Sequence, residues 1–166
     1  ARLELDRARG ILLAEQAAGV RLKEQAKEAI NQLLPVLKGA PKDIEGRLAI
    51  GQAFEAYGDL SLAIEVWNQV LMLQPTHESA LENLALAYLA TEQTHEALRP
   101  LEKLVDINPE RSFYFGRLAF VLGLNGDLRN GVAAAERALE LNPSLVQSHI
   151  WLGEAYRRLG DPARAE

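Results

Sequence analysis

Large apolar side chains return along this chain in step. Ile50, Leu84, Leu118 and Leu152 form one series and Phe54, Tyr88, Leu122 and Tyr156 a second, each with a period of 34 residues. Small residues keep the same frame: Ala17, Gly51, Ala85, Ala119 and Gly153 in one series, and Ala29, Ala63, Ala97, Gly131 and Ala165 in another. Two helices approach to about 8 Å only where side chains are small, and bulky neighbours then fill the grooves around the crossing. Gly58-Asp59, Gly126-Asp127 and Gly160-Asp161 each supply a left-handed stop followed by a capping residue, and so predict tight turns within helix pairs. Pro41, Pro75, Pro109 and Pro143 cannot donate the backbone bond a continuing helix needs, and end each pair. The pattern predicts helices over 3–18, 22–38, 44–57, 61–73, 78–90, 94–106, 112–124, 128–140 and 146–158. Helices this short are marginal alone in water, so their stability must come from stacking on neighbours.

With its period, its two small sites, its apolar anchors and its closing proline, the chain resembles the tetratricopeptide-repeat family. The resemblance implies an all-α fold, an α-solenoid of stacked antiparallel helix pairs wound into a right-handed superhelix of about 4.5 units. The units fall at 1–43, a degenerate first helix pair; at 44–77, 78–111 and 112–145; and at 146–166, a partial unit. In the first, Ala29, Leu33, Val36 and Pro41 fit the second helix, whereas Gln16 stands where an apolar anchor belongs. In the unit at 112–145, Gly131 and Ala135 replace larger residues and predict a looser pair. The last unit stops early in its second helix, which predicts a truncated segment and an uncovered apolar edge at Leu152, Tyr156 and Leu159.

The resemblance also implies a function. First helices of successive pairs line the concave side, where a peptide or helix of a partner protein lies. By frame, that face carries Leu48, Gln52 and Glu55; then Asn83, Leu86 and Leu89; then Phe113, Arg117 and Phe120; and last Trp151, Glu154 and Arg157, with Gln147 and Ile150 beside them. Regularly spaced apolar members of such a face mark a binding patch. One subset of the family grips chaperone carboxy-termini with two lysines, an arginine and two asparagines. Asn83 and Arg117 fall at two of those positions, but Leu48, Gln52 and Phe113 stand where Lys, Asn and Lys are required. An amphipathic helix or extended apolar segment suits the face better. The alternative role is a structural element that self-associates through the C-terminal end of the stack, or a regulatory arm of a larger protein.

Composition narrows the choice. A formal net charge of -5 gives no overall attraction for nucleic acid or anionic membranes. The absence of cysteine removes disulfides, thiolate metal sites and thiol nucleophiles. No apolar run is long enough to span a bilayer, so no membrane insertion is expected. His77, His95 and His149 sit at unrelated places in the repeat, and the acidic pairs Glu24/Glu28 and Glu136/Glu140 follow the spacing of solvated helix faces. There is no phosphate-binding glycine loop. These features predict a chain that is not an enzyme, with no cofactor, metal or catalytic residue. Trp67 falls at the core position of Leu33 and Leu101, whereas Trp151 is a candidate for partner contact.

Overall fold

Four turns of this molecule are built alike, and they set its helix pairs. The amide of Asp59 bonds to the carbonyl of Phe54, Gln93 to Tyr88, Asp127 to Leu122 and Asp161 to Tyr156, at 2.8–2.9 Å. Each bond spans six residues and satisfies a carbonyl that the ending helix leaves open. The residue before each donor lies in the left-handed region: Gly58, Gly126 and Gly160 at φ 100°, 85° and 76°, and Glu92 at φ 60°.

The computed structural model describes residues 2–39 and 42–161, with side chains from residue 18 onward except 36 and 37. Pro41, Ala165 and the expected second helix of the last unit lie outside the described residues, as do the side chains of Gln16, Ala17 and Val36. The described residues form eight helices: α1 (Arg2–Gly39), α2 (Ile44–Tyr57), α3 (Leu60–Leu73), α4 (Glu78–Ala90), α5 (Leu98–Ile107), α6 (Ser112–Leu124), α7 (Leu128–Leu141) and α8 (Val146–Leu159). The architecture is an all-α solenoid with no strand among the described residues. It divides into two units, residues 1–73 with α1 to α3 and residues 74–166 with α4 to α8.

In the first unit α2 packs against both α1 and α3. Asp43 starts α2 by accepting the Gly46 amide at 3.0 Å, and Asp59 starts α3 by accepting the Leu62 amide at 3.1 Å. Trp67 is fully buried, and a Cβ placed on Gly51 would overlap its indole. The indole Nε1 has no hydrogen-bond partner. The expected first helix pair is one helix instead: α1 runs unbroken through residues 18–22. Gly19 is the strongest helix-weakening residue in Ala17-Ala18-Gly19-Val20-Arg21, and a lone glycine costs only about 1 kcal/mol relative to alanine. No Gly-Asp pair stands there to close a turn.

In the second unit α4 packs on α5, α5 on α6, and α8 against both α6 and α7. Gly131 and Ala135 are buried, but the pair they belong to is filled from outside. A Cβ on Gly131 would meet Trp151 Cη2 at 2.5 Å, and one on Gly123 would meet Trp151 Cζ2 at 2.6 Å. The indole of α8 thus takes the space that small residues on α6 and α7 leave, and corrects the expectation of a loose pair. The expected apolar edge at the end of the stack is also corrected. Leu152 and Tyr156 are buried, and the Tyr156 hydroxyl donates to Glu136 Oε1 at 2.5 Å, which leaves Leu159 exposed among the three.

Helix α5 starts four residues later than the repeat predicts. Its turn reads Thr91-Glu92-Gln93 where the sister turns carry Gly-Asp, so no side chain caps the helix at this point. Glu92→Gly is expected to raise stability by about 1 kcal/mol, because glycine adopts the observed φ without steric cost. Adding Gln93→Asp supplies the missing cap and contributes about another 1 kcal/mol. Thermal melting of the single and double variants measures both steps, and the double variant gains helical ellipticity.

Candidate partner-binding groove

The one-repeat offset places Leu86, Phe120 and Glu154 at equivalent positions of α4, α6 and α8, and likewise Asn83, Arg117 and Trp151. Nine of the expected residues converge on one groove of about 640 Å³ in the second unit: Leu86, Leu89, Phe113, Arg117, Phe120, Gln147, Ile150, Trp151 and Glu154. Its wall is mostly apolar and open to solvent, with Leu86 40%, Phe113 48%, Phe120 49% and Ile150 63% exposed. A side cavity of about 170 Å³ adjoins it, bounded by Leu124, Leu128 and Ala155 and sharing Phe120, Trp151 and Glu154 with the groove.

The remaining expected residues lie elsewhere. Leu48 is buried in the first unit, so it belongs to packing and cannot present itself to a guest. Gln52 and Glu55 are exposed on α2, also in the first unit. Asn83 is half-buried, and its Nδ2 is buried without a hydrogen-bond partner. Arg157 points its guanidinium at Glu154, 2.8 Å away. The groove also contains residues that the sequence did not single out for it. Leu145 precedes α8 and escapes any count of helix faces, and Ser148 is buried against Gly116, whose added Cβ would stand 3.1 Å from its Oγ. The repeat frame alone could have flagged Gly116, as the small residue between Glu82 and Ile150 in one series.

Charge in the groove is unequally matched. Glu154 is bound by Arg158 at 2.9 Å and by Arg157, and these cations hold its carboxyl below the usual carboxylate range. The Arg117 guanidinium lies over the Phe113 ring, 4.3 Å from its centroid, a cation–π arrangement. Among the described residues no carboxylate forms an ion pair with it.

Beneath the groove, α4 is tied to α6. The buried Tyr114 hydroxyl donates toward Glu78 Oε1 at 2.6 Å and Glu82 Oε1 at 2.9 Å, and Arg111 lies over the tyrosine ring. The Tyr114 hydrogen bond is the main influence that holds Glu78 below the usual carboxylate range, against some desolvation. Burial first, then the two carboxylates, push the Tyr114 phenol well above its ordinary value. The unfolded tyrosine titrates near pH 10. Stability from the raised group is therefore intact below about pH 10 and is lost as pH rises toward the folded value. Tyr114→Phe is expected to cost about 1 kcal/mol at neutral pH and to flatten the alkaline decline. Urea melts at neutral pH and above pH 10 test both statements.

Among the described residues no cluster of three His, Asp or Glu could hold a metal, and no helix is long and apolar enough to cross a membrane. His77 caps α4 by accepting the Ala80 amide at 3.4 Å, and His149 Nε2 lies 2.9 Å from the Pro143 carbonyl oxygen.

The family model that matches the chain is described as the tetratricopeptide repeat, over residues 48–112 and 121–166. Superkiller protein 3 of Saccharomyces cerevisiae is 27% identical over 107 residues, 64% of this chain and 8% of that protein. Protein O-mannosyl-transferase TMTC3 of Homo sapiens is 28% identical over 158 residues, 93% of this chain and 17% of that protein. The chain thus spans a small part of these relatives. Among solved structures, MamA of Desulfovibrio magneticus RS-1 superposes with a TM-score of 0.75 at 26% identity, covering 90% of this chain and 86% of that one.

Proposed function

Because the chain belongs to the tetratricopeptide-repeat family, we propose that it is a protein-interaction scaffold whose second unit holds an apolar segment of a partner protein in the groove of α4, α6 and α8. One observation carries this reading. Four exposed large apolar side chains, Leu86, Phe113, Phe120 and Ile150, are gathered on one wall, from three helices a repeat apart. A groove of this size, apolar with a few polar groups at its edge, is the kind of concavity in which a guest is buried and oriented. The reading assigns the chain no catalytic residue. The carboxylate in the groove, Glu154, is paired with Arg157 and Arg158.

Leu86→Glu and Phe120→Glu place charge on the exposed wall and are expected to leave melting within about 0.5 kcal/mol of the parent. Capture of a partner from source-cell lysate should fall at least about tenfold with either. Undiminished capture by both variants would remove the groove from the binding surface.

A further inference from the structure

Resting on that reading, we propose that the occupant of the groove is an amphipathic α-helix with one apolar stripe and a carboxylate that meets Arg117. Three observations lead there, beginning with the polar groups the groove offers. Glu154 is committed to two arginines and Ser148 is buried, which leaves Arg117 and Gln147 as side chains able to bond a guest's backbone. An extended segment brings an amide and a carbonyl with every residue, and each one buried unpaired costs about 1–3 kcal/mol. A helix satisfies its own backbone and can lie against an apolar wall at no such cost.

Spacing agrees with a helix. The wall runs from Phe120 on α6 to Trp151 on α8, two helices that pack directly, and packed helix axes stand about 8–10 Å apart. Two turns of a guest helix, from i to i+7, advance about 10 Å. Apolar residues at that interval seat on successive helices, and the side cavity beside Phe120 and Trp151 takes one large apolar side chain at the end of the stripe.

Charge fixes the third element. The protein as a whole is acidic, at -5, yet the groove presents an arginine held in place by Phe113 and matched by no carboxylate among the described residues. The positive charge of Arg117 is already positioned, so a carboxylate on the guest gains a charge-assisted hydrogen bond with little ordering cost.

A display library of random peptides about 16 residues long, about 24 Å as a helix, selected on the whole chain and counter-selected on the Phe120→Glu variant, tests the inference. Enriched peptides are expected to carry apolar residues at i, i+3 or i+4, and i+7 with an Asp or Glu, and to gain helical ellipticity when bound. A central proline in the best of them should weaken binding at least about tenfold. Selection on Arg117→Glu should turn the acidic preference into a basic one. Groove-dependent peptides that are proline-rich or alternate apolar and polar residues would overturn the helix and leave the groove reading standing. Indifference to Arg117→Glu would overturn the carboxylate. A dimer that Phe120→Glu dissolves in sedimentation would seat a second copy in place of the helix, and no enrichment dependent on Phe120 would overturn the inference and the groove together.

Discussion

Trp67→Ala is expected to lower stability by about 3–5 kcal/mol, because a fully buried indole is removed from a crossing with nothing positioned to refill it. The informative companion is Gly51. Any Cβ at Gly51 overlaps the Trp67 indole, so Gly51→Ala forces α2 and α3 apart or the ring off its rotamer, for about 1–3 kcal/mol. The second unit carries the same crossing in another size class: Ala85 and Leu101, both buried, hold the positions of Gly51 and Trp67. Trp67→Leu in the parent leaves a void opposite glycine, although it also removes an indole N–H that has no partner. Combined with Gly51→Ala, it recreates the alanine–leucine pairing, and the double variant is expected to be more stable than either single one. Thermal melts of the four proteins give a coupling energy, expected at about 1–3 kcal/mol in favour of the double. Additive losses would show that Gly51 is small for a reason unrelated to Trp67.

That pairing was half legible in the chain. The frame of small residues marked Gly51 and Ala85 as crossings, and put Trp67 in the core with Leu101, because each depends on spacing inside one repeat. The turns were legible for the same reason: Gly-Asp pairs are local chemistry, and even Glu92 adopts the left-handed conformation its three sister glycines announce. What depends on partners from other helices was hidden. Leu48, Glu82, Gly116 and Ile150 share one frame position, yet Leu48 is buried and Ile150 is 63% exposed, since a repeat position fixes a direction on a helix and not what lies against it. The first helix pair failed on a weak signal, for Gly19 without a following cap does not end a helix. In the groove, the apolar positions of α4 and α6 were found by face, whereas Leu145 reaches it from a turn that face counting never samples.

Trp151 was read as a candidate for partner contact, and nothing in the frame of one repeat joined it to Gly123 and Gly131. Together they are a slot on two helices for one indole, and the residue is both wedge and groove wall. Trp151→Ala is expected to cost about 3 kcal/mol, toward the low end for tryptophan because the ring is only half-buried. The loss falls on α8, whose contacts are with α6 and α7, so amide exchange should quicken there first. Filling the slot gives the sharper test. A Cβ on Gly131 stands 2.5 Å from Trp151 Cη2 and 3.1 Å from the Ala119 carbonyl oxygen, so backbone blocks one retreat and the ring must move. Gly131→Ala is therefore expected to destabilise by about 1–3 kcal/mol and to push the indole toward the groove. The protein has two tryptophans and Trp67 is fully buried, so acrylamide quenching reports chiefly on Trp151 and should increase in Gly131→Ala. Unchanged melting and quenching in that variant would mean that the indole is not seated in the slot.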